Sequence, residues 1–328
     1  MKYFFLPLIL TFLLIQDTYC QQFDHKKIYL WPAEAYKSYT KKDFSRAASI
    51  YTSFLNECKN KGIVNQDIID NTYNLACCLS LAMKPDSAFI VLNEVSENDL
   101  FISQYPHILT DGDLKSLHSD ERWPLVIKKI EAHKALFEKN IDKNLQSSLD
   151  TIYDNDQKFR RSSAKMNKDF GRDSKEAKEE WKKVLYNDSL NLIKIKDFIK
   201  KNGWVGPRKA GFRSSLAIYL VIQHADLKTQ QKYYPIMKKA VSKGDARPQD
   251  LAFMEDRILL RRGKEQIYGS QLRTIKEKDG KTYPIRLSDP EHVDERRFRV
   301  GLESMSEYLS PDKWDPIEYL KVYKDLKY

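Results

Sequence analysis

Hydrophobic positions recur at helical spacing along most of the chain, and short polar breaks separate the runs. Trp31, Ala35, Ser38, Tyr39, Phe44, Ala47, Tyr51 and Phe54 repeat every three or four residues on either side of Lys41, Lys42 and Asp43. This spacing predicts two antiparallel helices joined by a tight turn, with Ala35 and Ala47 where the pair approach closely. Leu75, Ala76, Leu79 and Ala82 predict another helix; Pro85 and Asp86 mark its turn, and Ala88 and Leu92 its partner. Further on, Leu145, Leu149, Ile152, Tyr153 and Phe159 form the stripe of a long helix with an interruption at 169–172. Trp181, Leu185, Leu190, Ile193, Ile195 and Phe198 are expected to continue the core until Asn202 and Gly203 end the element.

From Pro207 to Gln223 the pattern predicts one central helix, because Leu216 to Ile222 are apolar without a gap. Asp226 is placed to cap the next helix and Pro235 to interrupt it. Pro248 and Gly263 bracket another by the proline-in, glycine-out rule. Segments 271–277 and 281–285 flank Asp279 and Gly280, a strong hairpin signal. Helix returns from Glu291 to Leu326, broken at Pro311 and Pro316. The expected fold is mainly α: helical hairpins, then a helical domain with one small β-hairpin.

Residues 31–54, with the copy that follows about forty residues later, resemble tetratricopeptide repeats, in which each hairpin buries its apolar face on a neighbour. The stretch TDGDLKSLHSDERW, with Asp111, Asp113, Leu114, Leu117, Asp120, Arg122 and Trp123, resembles a degenerate closing unit. That resemblance implies scaffolding, with a protein or envelope polymer as partner. An ordinary small helical domain with the same spacing is the competing reading.

The N-terminus changes the picture of where this happens. Lys2, the apolar run from Tyr3 to Ile15, and Thr18 and Cys20 before Gln21 predict a signal peptide, 1–20, and an exported protein in the periplasm or medium. Acylation of Cys20 is disfavoured by the bulky Tyr19 before it. The expected organisation is then a repeat region, 21–142, and a helical domain, 143–328, with no membrane span after cleavage. Lys2 and Asp17 leave together, so the net charge stays at +10. The lysines are scattered rather than gathered in one tract, so nucleic acid is not the expected partner. Cys58 and Cys77 are misaligned by roughly 9 Å along the predicted hairpin axis at about 1.5 Å per residue, which disfavours a disulfide.

Candidate chemistry concentrates between Gln223 and Gln271, in QHAD (223–226), EDR (255–257) and EQIYGSQ (265–271). Polar side chains on otherwise apolar elements are costly unless paired, so they form either a structural network or a site. Asp256 lies one turn from Ala252, Phe253, Leu259 and Leu260, and its carboxylate needs a partner: His224, Arg160 or the 266–271 segment. Gln223, His224, Asp256, Arg257, Gln266, Tyr268 and Gln271 are expected to converge. An enzyme of the hydrolase type would use His224 as general base, oriented by Asp226 or Asp256, because histidine titrates near neutrality. A binding module would use the same residues to hold a ligand. No GxSxG, HExxH or P-loop motif supports a mechanism, and His224 with Asp226 is too few ligands for a metal site, so no cofactor is expected.

Asp156, Gln157 and Arg160 in IYDNDQKFRR, then Gly203–Trp204, QHAD, EDR, QIYGSQ, and Arg297, Gly301 and Leu302 occur in the order found in domain-of-unknown-function family 6624. From about Leu145 to Leu309 the chain resembles that family. The resemblance implies a shared fold, groups these positions and adds Asp156 and Arg160 to the candidate ligand-binding cluster, but implies no activity.

Overall fold

A computed structural model describes residues 25–63, 65–275, 280–310 and 314–325. The expected signal peptide with Cys20, the tip of the hairpin at Asp279, and the break at Pro311 lie outside them. The chain forms two compact units that divide between Val126 and Ile127.

In the first unit, α1 (Trp31–Thr40), α2 (Phe44–Asn60), α3 (Gln66–Leu81) and α4 (Pro85–Val95) pack consecutively, each against the next. Trp31, Ala35, Ala47, Tyr51, Phe54, Ala76, Ala88 and Leu92 are buried, as the periodicity requires. Lys42 turns the first pair at φ 62°, and the Asp43 side chain caps α2 by accepting from the Arg46 amide. A short 3-10 turn (Asp99–Gln104) and α5 (Tyr105–Ile108) lead to a second 3-10 turn (Gly112–Leu117) capped by Asp111. The acidic loop ties the helices together. Tyr73 donates to Asp111 at 2.6 Å and Tyr39 to Asp113 at 2.8 Å. Cys58, Cys77 and Cys78 are buried free thiols.

Helix α6 (Trp123–Lys139) crosses the division. The second unit is built on two long antiparallel helices, α7 (Lys143–Phe170) and α8 (Lys175–Asn202), closed by Gly171 and Gly203 at positive φ. Then come α9 (Pro207–Ala210), α10 (Phe212–His224), α11 (Leu227–Val241) and α12 (Pro248–Arg261). Leu149, Ile152, Ile195, Ile218, Ile222, Met237 and Met254 share the core of this layer. Strands β1 (Leu272–Thr274) and β2 (Thr282–Pro284) pair antiparallel, with Arg273 opposite Tyr283. They join α13 (Val293–Arg299), α14 (Met305–Tyr308) and α15 (Pro316–Val322) around a smaller core of Tyr283, Leu287, Val293, Met305 and Tyr319. The fold is mainly α with one small β-hairpin.

Three local expectations are corrected. The helix expected from Pro207 to Gln223 is two, because Gly211 at φ 83°, ψ 159° is not helical and re-aims the chain between α9 and α10. Pro235 does not interrupt α11; only one turn loses a hydrogen bond, and burial of Tyr233, Met237 and Ala240 on the same helix outweighs that loss. Trp181, Leu185, Leu190 and Ile193 are exposed, whereas Ile195 and Phe198 are buried. A helix as long as α8 carried two apolar stripes in sequence, and only the stripe through Val184, Asn187, Asn191 and Ile195 meets the core. Among the described residues no helix is long and apolar enough to cross a membrane.

Candidate functional site

The polar residues singled out in the sequence sort into two groups that differ in exposure. The first stands where α7, α8 and the C-terminal end of α10 meet. Asp156, buried mid-way along α7, is there because its helical phase matches Leu149 and Ile152, which face the same core. Nδ1 of His224, the last residue of α10, lies 3.1 Å from Oδ1 of Asp156. Arg160, one turn on, donates from Nε to Oδ2 of Asp156 at 3.2 Å and from an amino group to Asp188 on α8 at 2.6 Å. The Gln157 amide adds a further donor to Asp156 at 2.9 Å. Burial pushes the Asp156 carboxyl up, but hydrogen bonds and charge from His224 and Arg160 outweigh it and hold the group below its ordinary value. Asp156 is 1% exposed, whereas His224, Arg160 and Asp188 are each about one-fifth exposed, so the group opens to solvent on one side.

Ligand atoms of Asp156, Asp188 and His224 lie within 4.8 Å of one another, a spacing that could hold a cation. Arg160 already bridges the two carboxylates, so the negative charge a metal would neutralise is met by the chain itself. Asp188 and Asn191 were not found from sequence. Asn191 lies one turn beyond Asp188 on α8, is fully buried, and takes no hydrogen bond at either amide atom among the described residues. The missed signal was NDSLN, two polar residues at helical spacing inside an apolar stripe.

The second group is closed. Asp256, fully buried on α12, accepts from three backbone amides of the following loop: Ile267 at 2.7 Å, Tyr268 at 3.0 Å and Ser270 at 2.9 Å. Burial pushes this carboxyl up against the pull of those amides. Gln266, also fully buried, accepts from the Gln271 amide at 3.0 Å and donates to the carbonyls of Gln271 and Ile285, pinning the loop to β2's exit. The Gln271 side chain donates to Ser270 at 3.1 Å. Arg297 on α13 has no exposed surface; it donates to the carbonyls of Tyr268 and Glu303 at 2.7 and 2.6 Å and stacks on Tyr308 at 4.5 Å. Among these groups, side-chain chemistry is spent on holding backbone.

Gln223 and Arg257 bridge the groups. The Gln223 amide donates to the Phe253 carbonyl at 3.3 Å, while its own backbone carbonyl accepts from Arg257 at 3.2 Å and from Gln230 at 2.8 Å. The carboxylate that meets His224 is therefore Asp156 rather than Asp226 or Asp256. Asp226 is the N-cap of α11, accepting from the Thr229 amide at 2.7 Å, and Asp256 serves the 267–270 loop.

A long-helix layer carrying a half-open Asp–His–Arg–Asp cluster, beside a hairpin subdomain stitched by a buried aspartate, is what the fold defines. The family of unknown function DUF6624 matches residues 143–314, more than half of the chain, and the chain belongs to that family. Within the matched residues Asp156 meets Arg160 and His224, Asp256 meets the 267–270 loop, and Arg297 meets Tyr268. No curated protein and no solved structure matches the sequence.

Proposed function

We propose that this is an exported, non-enzymatic binding protein. In this reading the N-terminal helices, a tetratricopeptide-like scaffold, engage a protein or envelope-polymer partner, and the C-terminal domain holds a small polar ligand at Asp156, Arg160, Asp188 and His224. The carrying observation is the contrast in exposure between the two groups. Asp256, Gln266 and Arg297 are fully buried and bind backbone from within the fold, whereas the Asp156 cluster is open on one side and is followed on α8 by a buried Asn191 with no hydrogen bond at either amide atom among the described residues. Buried polar atoms without partners are rare in folded proteins and call for a reason; a ligand is one.

The test is a screen of polar small molecules against the mature chain, followed by His224→Gln and Asp188→Asn. Loss of binding with an unchanged melting temperature supports the site; a steep loss of stability in both variants, with no ligand found, assigns the cluster to structure instead. Export is tested by mass spectrometry of the secreted protein, which should begin at Gln21.

One observation favours a second reading. The Nδ1 contact to Asp156 leaves Nε2 of His224 without a hydrogen bond among the described residues, the arrangement a general base needs. In a hydrolase of this kind Asp156 would orient the ring, and Gln157 and Arg160 would hold the carboxylate in place. Turnover of an ester or glycoside substrate that His224→Gln abolishes, at unchanged stability, would favour it over binding.

A further inference from the structure

A cavity of about 130 Å³ opens between α9, the start of α10 and the loop before α12, lined by none of the residues of the Asp156 and Asp256 groups. Its walls are Trp204, Phe212 and Tyr219, with Pro207, Leu216 and Ala246 between them. Gly206 and Asp245 shape one side: a Cβ at position 206 would overlap the backbone of Asp245, so only glycine lets the two segments close this far. An apolar lining with a few placed polar groups is the usual make-up of a small-molecule site.

Size and charge narrow the occupant. The volume is close to the roughly 150 Å³ that accommodates one benzene, so it fits a single six-membered ring. Three aromatic walls favour a planar ring, through offset or edge contacts. Both cations at the cavity are already neutralised. Arg247 makes two hydrogen bonds to the buried Asp250, at 2.8 and 2.6 Å, and Arg213 pairs with Asp150 at 2.9 Å and with Asp154 while lying over the Tyr153 ring. Asp245 adds a further carboxylate to the lining, so an anion is disfavoured. One donor remains: the second amino group of Arg247 has no hydrogen bond among the described residues.

The geometry points to a binding site for an uncharged aromatic ring that carries one hydrogen-bond acceptor, stacked among Trp204, Phe212 and Tyr219 and met by Arg247. This site is separate from the Asp156 cluster and does not depend on what that cluster binds.

Benzamide, benzoate and cyclohexanecarboxamide form a matched set of probes: uncharged aromatic, anionic aromatic and uncharged non-aromatic. The mature chain is labelled with 5-fluorotryptophan, and the Trp204 fluorine resonance is assigned by its absence in Trp204→Phe. Benzamide is expected to shift that resonance saturably with a dissociation constant on the order of 1 mM, as suits a ligand of this size. Benzoate and cyclohexanecarboxamide should bind at least tenfold more weakly, and Ala246→Leu, which fills the cavity, should abolish the benzamide shift. The proposal is overturned if benzamide leaves the Trp204 resonance unmoved, if either control probe binds as well, or if a folded Ala246→Leu protein still binds.

Discussion

Nδ1 of His224 lies 3.1 Å from Oδ1 of Asp156, so the last residue of α10 closes on a carboxylate buried in the middle of α7. That contact joins two helices 68 residues apart in sequence and gives Asp156 partners on both sides, with Arg160 on its own helix. The arrangement makes a definite statement about acid stability. A carboxyl held below its ordinary value in the folded state stabilises the protein above about pH 4, and that contribution is lost as pH falls through the folded value.

Asp156→Asn is therefore expected to lower stability by about 3 kcal/mol at neutral pH, because it leaves Arg160 half-paired beside a buried site. It should also flatten the acid limb of the stability curve below about pH 4, where the wild-type carboxylate is being protonated. Urea titrations of both proteins from pH 3 to 7 check this. Parallel curves over that range would show that Asp156 does not contribute through its charge.

Asp256 should behave differently, because its partners are amides rather than cations. Asp256→Ala leaves three backbone N–H groups of the 267–270 loop without an acceptor and is expected to cost about 3 kcal/mol or more. Asp256→Asn retains one oxygen for Ile267 and Tyr268 but turns an amide nitrogen towards the Ser270 N–H, so it should cost about half as much. Melting temperatures give the order, and hydrogen exchange at 267–270 gives the location. Equal losses from both substitutions would argue that the loop is held by something else, with Gln266 as the first suspect.

Much of this was legible in sequence, and what was not has a physical reason. The helices α1 and α2 followed from period and turn residues because each buries one face, Trp31 and Ala35 on one side of a turn and Ala47 and Tyr51 on the other. For α8 the same rule over-predicted burial: an apolar residue shows that a position tolerates burial, not which of two stripes finds a partner, and Ile193 is exposed while Ile195 is buried. Polar residues on apolar elements pointed to His224, Asp256 and Gln266, and the family resemblance to Asp156; each has hydrogen-bond partners in the fold. Who the partners are was not readable, since Asp256 meets backbone amides that no side-chain pattern announces, and Asp188 looked like one more charge on a heavily charged helix.

Two glycines near the cavity separate steric from conformational cost. Gly206 has φ −96°, which any residue can adopt, yet a side chain would run into Asp245. Gly203 has φ 73° with open space around it. Gly206→Ala is expected to cost about 1–3 kcal/mol through displacement of the loop before α12. Gly203→Ala should cost about 1–2 kcal/mol through backbone strain alone, with the loop unmoved. Tryptophan fluorescence of Trp204 during unfolding distinguishes them: the native-state spectrum should change in the first variant and stay constant in the second.

Arg297 supplies the least intuitive expectation. Its guanidinium is fully buried, donates to the carbonyls of Tyr268 and Glu303, rests on the Tyr308 ring, and leaves one amino group without a hydrogen bond among the described residues. Burial pulls its pKa down, so holding the charge here is unfavourable before its contacts are counted. Arg297→Lys keeps a buried cation but cannot span two carbonyls from one ammonium, and is expected to cost about 3 kcal/mol. Arg297→Met gives up both hydrogen bonds and with them the charge, so the desolvation penalty disappears and the net loss should be smaller, about 1–2 kcal/mol. Chemical denaturation of the two variants decides the order. If Met proves the more damaging, the bonds to Tyr268 and Glu303 outweigh the burial of charge, and Arg297 is the main clamp between α13 and the 266–271 loop.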